Sequence, residues 1–208
     1  MAQVDAIPVI LVRHASTAWT GHRYCGRSDP PLDGAGRAAA ERLARDLAPD
    51  LAPGTRIVSS PLVRALATAE AIAAAAGVGP VLVDERWRES DCGDAEGRTF
   101  DELAVLEPRL AARLAAGDVE IDWPAGETAV ALRERVHDAW SSVLADRHPV
   151  VIVSHAGPLR LAVALGTGSR PETVAFPAPG TAVRLAVPWP DGGHGARVAG
   201  PSRATLRR

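Results

Sequence analysis

Two short runs of sequence each end in a histidine directly after an apolar, β-branched stretch. Arg13 and His14 follow Val9–Val12. His155 follows Pro149–Ser154. Apolar runs without polar alternation are typical of strands that are buried on both faces, as in a parallel sheet. The carboxyl ends of such strands meet at one edge of the sheet, where ligands bind, so the sequence predicts that these basic side chains share a site.

A second arginine lies where a predicted strand is followed by a helix. Arg64 falls in the first turn after Arg56–Ser59, where free backbone N–H groups and the helix dipole favour an anion. Arginine offers paired planar donors that suit phosphate or carboxylate oxygens. A phosphoryl group has enough oxygens to occupy several donors, so we expect a cationic cup for a phosphoryl group. Taken alone, Arg64 could instead pair with Glu70 on its own helix.

A histidine in such a cup can also act as a nucleophile, because an imidazole nitrogen can form a covalent intermediate. This chemistry needs a neutral nitrogen that faces phosphorus and a proton donor for the leaving oxygen. By residue type alone, a histidine such as His14 is more often a hydrogen-bonded core residue than a catalytic one. The loop from Asp84 to Gly97 supplies several acids that could serve as the proton donor, namely Glu85, Glu89, Asp91 and Asp94.

Composition and charge argue against several other functions. The net charge of −2 gives no reason to expect a nucleic-acid partner. No stretch reaches transmembrane length, and the first residues lack the basic start of a signal peptide, so no membrane partner is expected. The chain has no Lys, which excludes a Walker-type phosphate loop and a Schiff base. Two cysteines, Cys25 and Cys92, form neither a disulfide framework nor a zinc quartet and are typical of the reducing cytoplasm.

Strand and helix patterns alternate along the chain, which predicts a layered α/β domain. We expect a single domain over residues 1–202 and a disordered basic tail over residues 203–208. The strands are expected at Pro8–Arg13, Arg56–Ser59, Val81–Val83, Pro149–Ser154 and Thr181–Val187. The helices are expected at Gly36–Leu47, Ser60–Ala76, Phe100–Ala116, Thr128–Ala145 and Gly157–Leu165. In the second helix Ser60 is the expected N-cap and Gly77 the stop. In the third helix we expect a capping box at Thr99 and a break near Pro108.

Six blocks of sequence together resemble the histidine phosphatase superfamily, which includes cofactor-dependent phosphoglycerate mutase and many small phosphomonoesterases. The blocks follow the family order from residue 8 to about residue 187. The resemblance implies a three-layer α/β/α sandwich with a mostly parallel central sheet, as in phosphoglycerate mutase. The blocks are Arg13–Thr17, Tyr24–Leu32 with Gly36 and Arg37, Ser59–Glu70, Arg86–Gly97, Gly126–Thr128 and Ser154–Gly157.

The resemblance also implies a role for each matched residue. His14 would be the phosphorylated nucleophile, and Glu89 would be the general acid that later activates water. Arg13, Arg64 and His155 would hold the phosphoryl group. No metal and no other cofactor is implied. Further substrate contacts are implied for Thr17, Thr20, Arg23 and Gly26, where Thr20 stands at a position at which the family often has a phosphate-binding Asn.

These residues predict a metal-independent phosphomonoesterase that hydrolyses a small phosphorylated metabolite through a phosphohistidine. The family's mutases usually carry a longer insertion between the acid and the second histidine, which favours a phosphatase here. The stretch Tyr24–Asp29 also resembles small phosphatases, among them the α-ribazole phosphatase group. Three alternatives stay open: a phosphoglycerate mutase, a protein phosphatase, and a non-catalytic binder of phospho-ligands. The oligomeric state, monomer or homodimer, is also open.

Overall fold

The two apolar runs form neighbouring strands in the middle of a five-stranded sheet. The structure is a computed structural model, and it describes residues 6–188. The two central strands are parallel, and their register pairs Arg13 with Ser154 at the carboxyl edge. The last strand is antiparallel to the first, and all other pairs are parallel. The sheet order is β3-β2-β4-β1-β5, with β1 Ala6–Arg13, β2 Arg56–Ser59, β3 Val81–Val83, β4 Val150–Ser154 and β5 Ala182–Pro188.

The central strands are apolar throughout because helices cover both faces of the sheet. Val9 and Leu11 of β1 pack into one core, whereas Ile10 and Val12 pack into a second core on the opposite face. Side chains of a strand alternate between faces, so an unbroken apolar run is what a strand with two covered faces requires. The predicted three-layer α/β/α sandwich with a mostly parallel sheet is therefore confirmed.

Within residues 6–188, six helices form the outer layers and one side of the domain. The first two helices contribute to the core that holds Ile10, and the last two contribute to the core that holds Val9. The two middle helices pack around a smaller core beside the sheet, which includes Leu103 and Leu110. The helices are α1 Gly34–Leu47, α2 Val63–Ala76, α3 Phe100–Leu106, α4 Pro108–Ala115, α5 Ala129–Ala145 and α6 Ala156–Thr167.

Local sequence signals account for most of the helix boundaries. Thr99 and Glu102 form the expected capping box at the start of α3. Pro108 begins α4, because proline lacks the N–H that a continuous helix would need and is tolerated in a first turn. Gly77 ends α2 in the left-handed conformation that glycine adopts without a Cβ clash.

The prediction that Ser60 caps α2 is wrong. The helix begins at Val63, and its N-cap Leu62 has no side-chain cap. The Val63 N–H instead donates to the carboxylate of Asp29 at 2.9 Å, across the site. The Ser60 hydroxyl lies 2.8 Å from the imidazole of His155. The hydroxyl that the local sequence predicts to cap a helix therefore contacts a residue far away in the chain.

Among residues 6–188, no helix is long and apolar enough to cross a bilayer. The tail predicted over residues 203–208 lies outside the described residues. The domain boundary at residue 202 lies outside them as well and stays a prediction.

The packing of α1 against the loop after β1 generates a stability prediction. A Cβ on Gly36 would lie 2.0 Å from the backbone oxygen of Ser16, which already accepts the Asp33 N–H at 3.2 Å. We expect Gly36→Ala to lower the free energy of unfolding by about 3 kcal/mol, because backbone atoms must move to admit the methyl group. The measurement is urea denaturation followed by circular dichroism.

The matched control is Gly34→Ala in the same helix, since a Cβ there meets no atom within 4 Å. This variant should be neutral or slightly more stable, because alanine has a higher helix propensity than glycine. Equal midpoints for the two variants would contradict the close approach of Gly36 to Ser16.

Candidate active site

The pairing of β1 with β4 brings the two predicted histidines together. The His14 N–H donates to the Ser154 carbonyl at 3.0 Å, and the rings of His14 and His155 lie 4.9 Å apart. Both side chains are buried. His14 lines a cavity of about 370 Å³ at the carboxyl edge of the sheet, whereas His155 lies behind it, fully buried and outside the cavity lining. The predicted site residues that line this cavity are Arg13, His14, Thr20, Arg23, Gly26, Arg64 and Glu89.

The hydrogen bonds of His14 define which of its nitrogens carries the proton. Nδ1 lies 2.7 Å from the Ala15 carbonyl, which can only accept, so Nδ1 is protonated. Nε2 lies 3.3 Å from Nε of Arg64, which can only donate, so Nε2 holds a lone pair. Burial, and then the charge of Arg64, lowers the pKa of His14 to about 3. His14 is therefore a neutral imidazole whose Nε2 lone pair accepts a hydrogen bond from the Arg64 guanidinium, and nucleophilic attack on phosphorus would use this lone pair in place of that hydrogen bond.

Arg64 connects this histidine to the segment Tyr24–Asp29, which carries the predicted substrate contact Gly26 and is called the substrate loop. Its guanidinium is fully buried and donates to the carbonyls of Gly26 and Ser28, both at 2.8 Å. Its ion-pair partner is Asp29, at 3.4 Å, rather than Glu70 of its own helix. The guanidinium thus faces the nucleophile and holds the loop over the cavity at the same time.

Two further polar atoms of the site have no partner among the described residues. These are Nε of Arg13 and Nδ1 of His155, and both are buried. Arg13 also donates to the Pro177 carbonyl at 2.9 Å through its terminal nitrogen. Burial lowers the pKa of Arg13, although the charge of Glu89 opposes this effect. Buried donors are normally hydrogen-bonded, so this arrangement suits a bound anion with several oxygens.

Glu89 is the member of the four acidic candidates that lines the cavity. Its Oε1 accepts the backbone N–H groups of Ser90 at 3.0 Å and Gly157 at 3.3 Å. A Cβ on Gly157 would come within 2.8 Å of Oε1, which explains why glycine stands at this position after His155. The carboxyl group is therefore held beside the second histidine, at the mouth of the cup.

Sequence reasoning missed the side chains that position this acid. Arg135 on α5 donates to the backbone carbonyls of Arg88 at 2.8 Å and Glu89 at 3.1 Å. The same guanidinium forms a paired contact with Glu127 at 2.6 and 2.8 Å. The Arg135 side chain thereby anchors the loop that carries the acid, and no local pattern marks it for that role.

Glu96, which falls in a matched block but had no predicted role, holds the substrate loop from the opposite side. Its carboxylate accepts the backbone N–H groups of Arg27 at 2.6 Å and Ser28 at 2.7 Å. A Cβ on Gly26 would lie 2.1 Å from Glu96 Oε1, and Gly26 has a φ of +49°. Glycine is required at this position by both conformation and space. The loop is thus fixed through its carbonyls by Arg64 and through its N–H groups by Glu96.

The remaining predicted contacts divide into two kinds. Thr20 and Arg23 line the cavity, and Arg23 donates to the Gly97 carbonyl at 2.5 Å. Thr17 is buried in its own loop, where its N–H donates to the Thr20 hydroxyl at 2.9 Å and its hydroxyl accepts the Trp19 N–H at 3.2 Å. A direct substrate contact for Thr17 stays a prediction.

The two cysteines line the same cavity as free thiols. Burial is the main cause that raises the pKa of Cys25 and of Cys92. Both therefore stay protonated near neutral pH, and a thiol is a poor nucleophile compared with a thiolate. Within residues 6–188 no group of three or more metal-ligating side chains is arranged to hold a metal ion. Independence from metals stays a prediction.

A neutral buried imidazole in a cup of arginine and histidine, at the carboxyl edge of a mostly parallel sheet, suits the binding of a phosphoryl group. The family model of the histidine phosphatase superfamily, branch 1, matches residues 9–197. The chain therefore belongs to the histidine phosphatase superfamily.

Similar proteins include both mutases and a phosphatase by name. Phosphoglycerate mutase-like protein 4 of Arabidopsis thaliana is 31% identical over 76% of this chain and 70% of its own length. The probable phosphoglycerate mutase GpmB of Escherichia fergusonii is 39% identical over 66% of this chain, which spans 63% of that relative. The mycobacterial glucosyl-3-phosphoglycerate phosphatase, solved with VO3, superposes with a TM-score of 0.78 at 28% identity and covers 87% of this chain and 91% of its own. Together these relatives support an enzyme of phosphatase or mutase type.

The lowered pKa of His14 predicts a stability that depends on pH. In the unfolded chain this imidazole binds a proton below about pH 6.5. In the folded chain it stays neutral down to about pH 3. Stability should therefore fall as the pH falls through this window, by about 2 kcal/mol for His14 between pH 7.5 and pH 5. Urea denaturation of the wild type and His14→Gln at both pH values measures the difference.

The control is the exposed His137→Gln, which should keep the pH dependence of the wild type. The His14→Gln variant should lose about 2 kcal/mol of that dependence. If the wild type and His14→Gln lose equal stability between the two pH values, His14 is not held neutral by the fold.

Proposed function

We propose that this protein is a metal-independent phosphomonoesterase that hydrolyses a small phosphorylated metabolite through a phosphohistidine on His14. The observation that carries the proposal is the state of the His14 imidazole. Burial keeps this ring neutral, and its Nε2 atom lies 3.3 Å from Nε of Arg64. A nucleophile beside a fixed cation attacks a phosphate ester most readily, because the cation stabilises charge on the phosphoryl oxygens in the transition state.

In the first step, the phosphoryl oxygens lie against the unpartnered donors of Arg13 and His155 and against Arg64. Nε2 of His14 attacks phosphorus, and the bond between phosphorus and the ester oxygen breaks. Glu89 gives its proton to that oxygen, so the product leaves as a neutral alcohol. The enzyme now carries a phosphohistidine and an ionised Glu89.

In the second step, the Glu89 carboxylate takes a proton from a water molecule that attacks phosphorus from the vacated side. The bond between phosphorus and Nε2 breaks and releases inorganic phosphate. His14 returns to its neutral form with Nδ1 still donating to the Ala15 carbonyl. Glu89 is protonated again, so the cycle closes without a further reactant.

Phosphoglycerate mutation is the second candidate, because two similar proteins carry mutase names. A mutase must return the phosphoryl group to a sugar acid rather than to water. The chain lacks the longer insertion that the family's mutases usually carry between Glu89 and His155, which favours hydrolysis. Intact side chains at His14, Glu89 and His155 count against a non-catalytic binder. We further propose that the protein acts in the cytoplasm without a nucleic-acid or membrane partner.

The mechanism predicts different defects for the nucleophile and the acid with 4-nitrophenyl phosphate. His14→Ala should lose roughly 10³-fold or more in kcat and carry no acid-labile phosphate, because no phosphohistidine forms. Glu89→Gln should release one equivalent of nitrophenolate in a burst and then turn over slowly, since nitrophenolate leaves without a proton but water still needs a base. Stopped-flow absorbance and trapping of labelled protein measure both effects.

The matched control is Glu85→Gln, an exposed acid on the same segment, which should behave as the wild type. Undiminished turnover by His14→Ala would overturn the covalent mechanism. Loss of wild-type turnover in EDTA would overturn metal independence. Conversion of 3- to 2-phosphoglycerate faster than phosphate release would favour the mutase.

A further inference from the structure

The cavity that holds the phosphoryl cup continues into a chamber with mostly apolar walls. We call this part the leaving-group chamber, because a substrate held by its phosphoryl group at His14 must place the remainder there. The chamber lies between α4, the segment that follows it, and the start of α5. Its apolar walls include Tyr24, Leu114, Ile121, Trp123, Leu132 and Phe176.

Aromatic side chains form much of this wall. Tyr24 and Trp123 meet edge to face with ring centres 5.6 Å apart, and both are half-buried. Phe176 is 54% exposed and carries the guanidinium of Arg160 above its ring at 4.3 Å. Aromatic surfaces of this kind bind rings and other apolar groups well, because they bury a large area in a rigid geometry. The chamber thus offers contact area that a three-carbon acid would leave unused.

Three arginines that border the chamber already have acceptors within the chain. Arg133 forms an ion pair with Glu120, and Arg23 lies 3.6 Å from Glu102. Arg160 donates to the backbone carbonyls of Pro171 at 2.8 Å and Glu172 at 3.3 Å. A substrate carboxylate would compete with these partners for the arginines, and the acids Asp118 and Glu120 also line the chamber. Both effects oppose a second negative charge on the substrate.

We propose that the leaving-group chamber selects a phosphomonoester whose alcohol carries an apolar or aromatic ring and no carboxylate. The proposal rests on the proposed function and names its substrate class. This substrate class differs from the phosphorylated sugar acids that appear in the names of similar proteins.

The test compares three primary alkyl esters that differ only at the end remote from phosphorus. These are 2-phenylethyl phosphate, ethyl phosphate and 2-carboxyethyl phosphate, so the reactivity of the ester bond is closely matched. We expect kcat/KM for the phenyl ester to exceed that of ethyl phosphate by roughly 10- to 100-fold, the effect of burying one ring. The carboxyl ester should be no better than ethyl phosphate.

Variants of the wall should reduce the preference for the ring. Trp123→Ala and, as a smaller change, Leu132→Ala should each lower the ratio of kcat/KM between the phenyl and ethyl esters. The matched control is Val105→Ala, since Val105 is 82% exposed on α3 and does not border the cavity. This control should keep the ratio of the wild type.

Equal kcat/KM for the three esters, or a preference for the carboxyl ester, would overturn the role of the chamber. The hydrolysis of these esters through phosphohistidine would then still stand. Failure of the proposed function would look different, because no ester would yield phosphohistidine, and both proposals would fall together.

A separate observation concerns the proton on His155. Its Nε2 lies 2.8 Å from the Ser60 hydroxyl, which also accepts the Leu62 N–H at 3.3 Å. If Nε2 carried the proton, the hydroxyl would accept twice, and its own hydrogen would have no acceptor within the described part of the chain. If the hydroxyl donates to Nε2, every one of these groups is satisfied. Nδ1 of His155 then carries the proton and is the buried, unpartnered donor at the cup.

We infer that Ser60 is a positioning residue that holds the proton of His155 on Nδ1, where it can donate to a phosphoryl oxygen. Ser60 has no exposed surface, and its N–H donates to Val153 at 3.0 Å, so the hydroxyl cannot turn to solvent. This role rests on the proposed function, since the proton matters only if an oxyanion binds beside it.

The readout is the tautomer of His155, taken from the ¹⁵N shifts and proton couplings of its imidazole. The wild type should show a protonated Nδ1, and Ser60→Ala should populate the other tautomer and bind inorganic phosphate roughly tenfold more weakly. Ser60→Thr, which keeps the hydroxyl, should restore both. Ser59→Ala is the control, since Ser59 is equally buried but donates to the Ser60 carbonyl at 2.9 Å.

A protonated Nε2 in the wild type would overturn the inference, whether or not Ser60→Ala folds. An unchanged tautomer in a folded Ser60→Ala protein would overturn it as well. Neither outcome touches the phosphohistidine mechanism, which is tested by His14→Ala.

Discussion

The site depends on one buried cation, the guanidinium of Arg64. A charge with no exposed surface is tolerated only when its donors are matched by acceptors, because desolvation alone costs several kcal/mol. The acceptors here are the carbonyls of Gly26 and Ser28, the carboxylate of Asp29 and Nε2 of His14. The pairing of this charge therefore also defines the substrate loop and the protonation state of the nucleophile. Loop, nucleophile and cation form one electrostatic unit.

Keeping two histidines neutral beside arginines has a cost in stability. Burial lowers the pKa of both His14 and His155, and the nearby arginines lower each further. Folding must then exclude protons that the unfolded chain would bind below neutral pH. The two covered faces of the sheet supply the offsetting apolar burial, since β1 and β4 are packed on both sides directly below the site. The free energy gained by burying this apolar core therefore offsets the cost of keeping the two histidines neutral in the cup.

The cavity divides the work of recognition between two kinds of surface. The cup is polar, and Arg13, His14 and His155 lie at the ends of the two central strands, so much of its geometry is held by the rigid centre of the sheet. The chamber wall comes from connecting segments and from helices beside the sheet, which can differ between relatives without disturbing the cup. Similar proteins carry both mutase and phosphatase names, as is common where one fold hosts more than one activity.

Local physics alone determined much of the fold from the sequence. The bounds of β2 and β3 are as predicted, and the signals at Thr99, Pro108 and Gly77 act where expected, because apolar runs, caps and breaks involve neighbours in the chain. The matched blocks likewise predicted a nucleophile, an acid and a phosphate clamp, and the residues that they named, His14, Glu89 and Arg64, line one cavity. Only the tertiary structure decided how these groups meet. Ser60 was misassigned because its partner His155 is 95 positions away, and Glu96, which holds the backbone of Ser28, is 68 positions from it. The sequence states which donors and acceptors exist. The strength of a hydrogen bond falls steeply with distance and angle, so only the three-dimensional fold decides which of them pair.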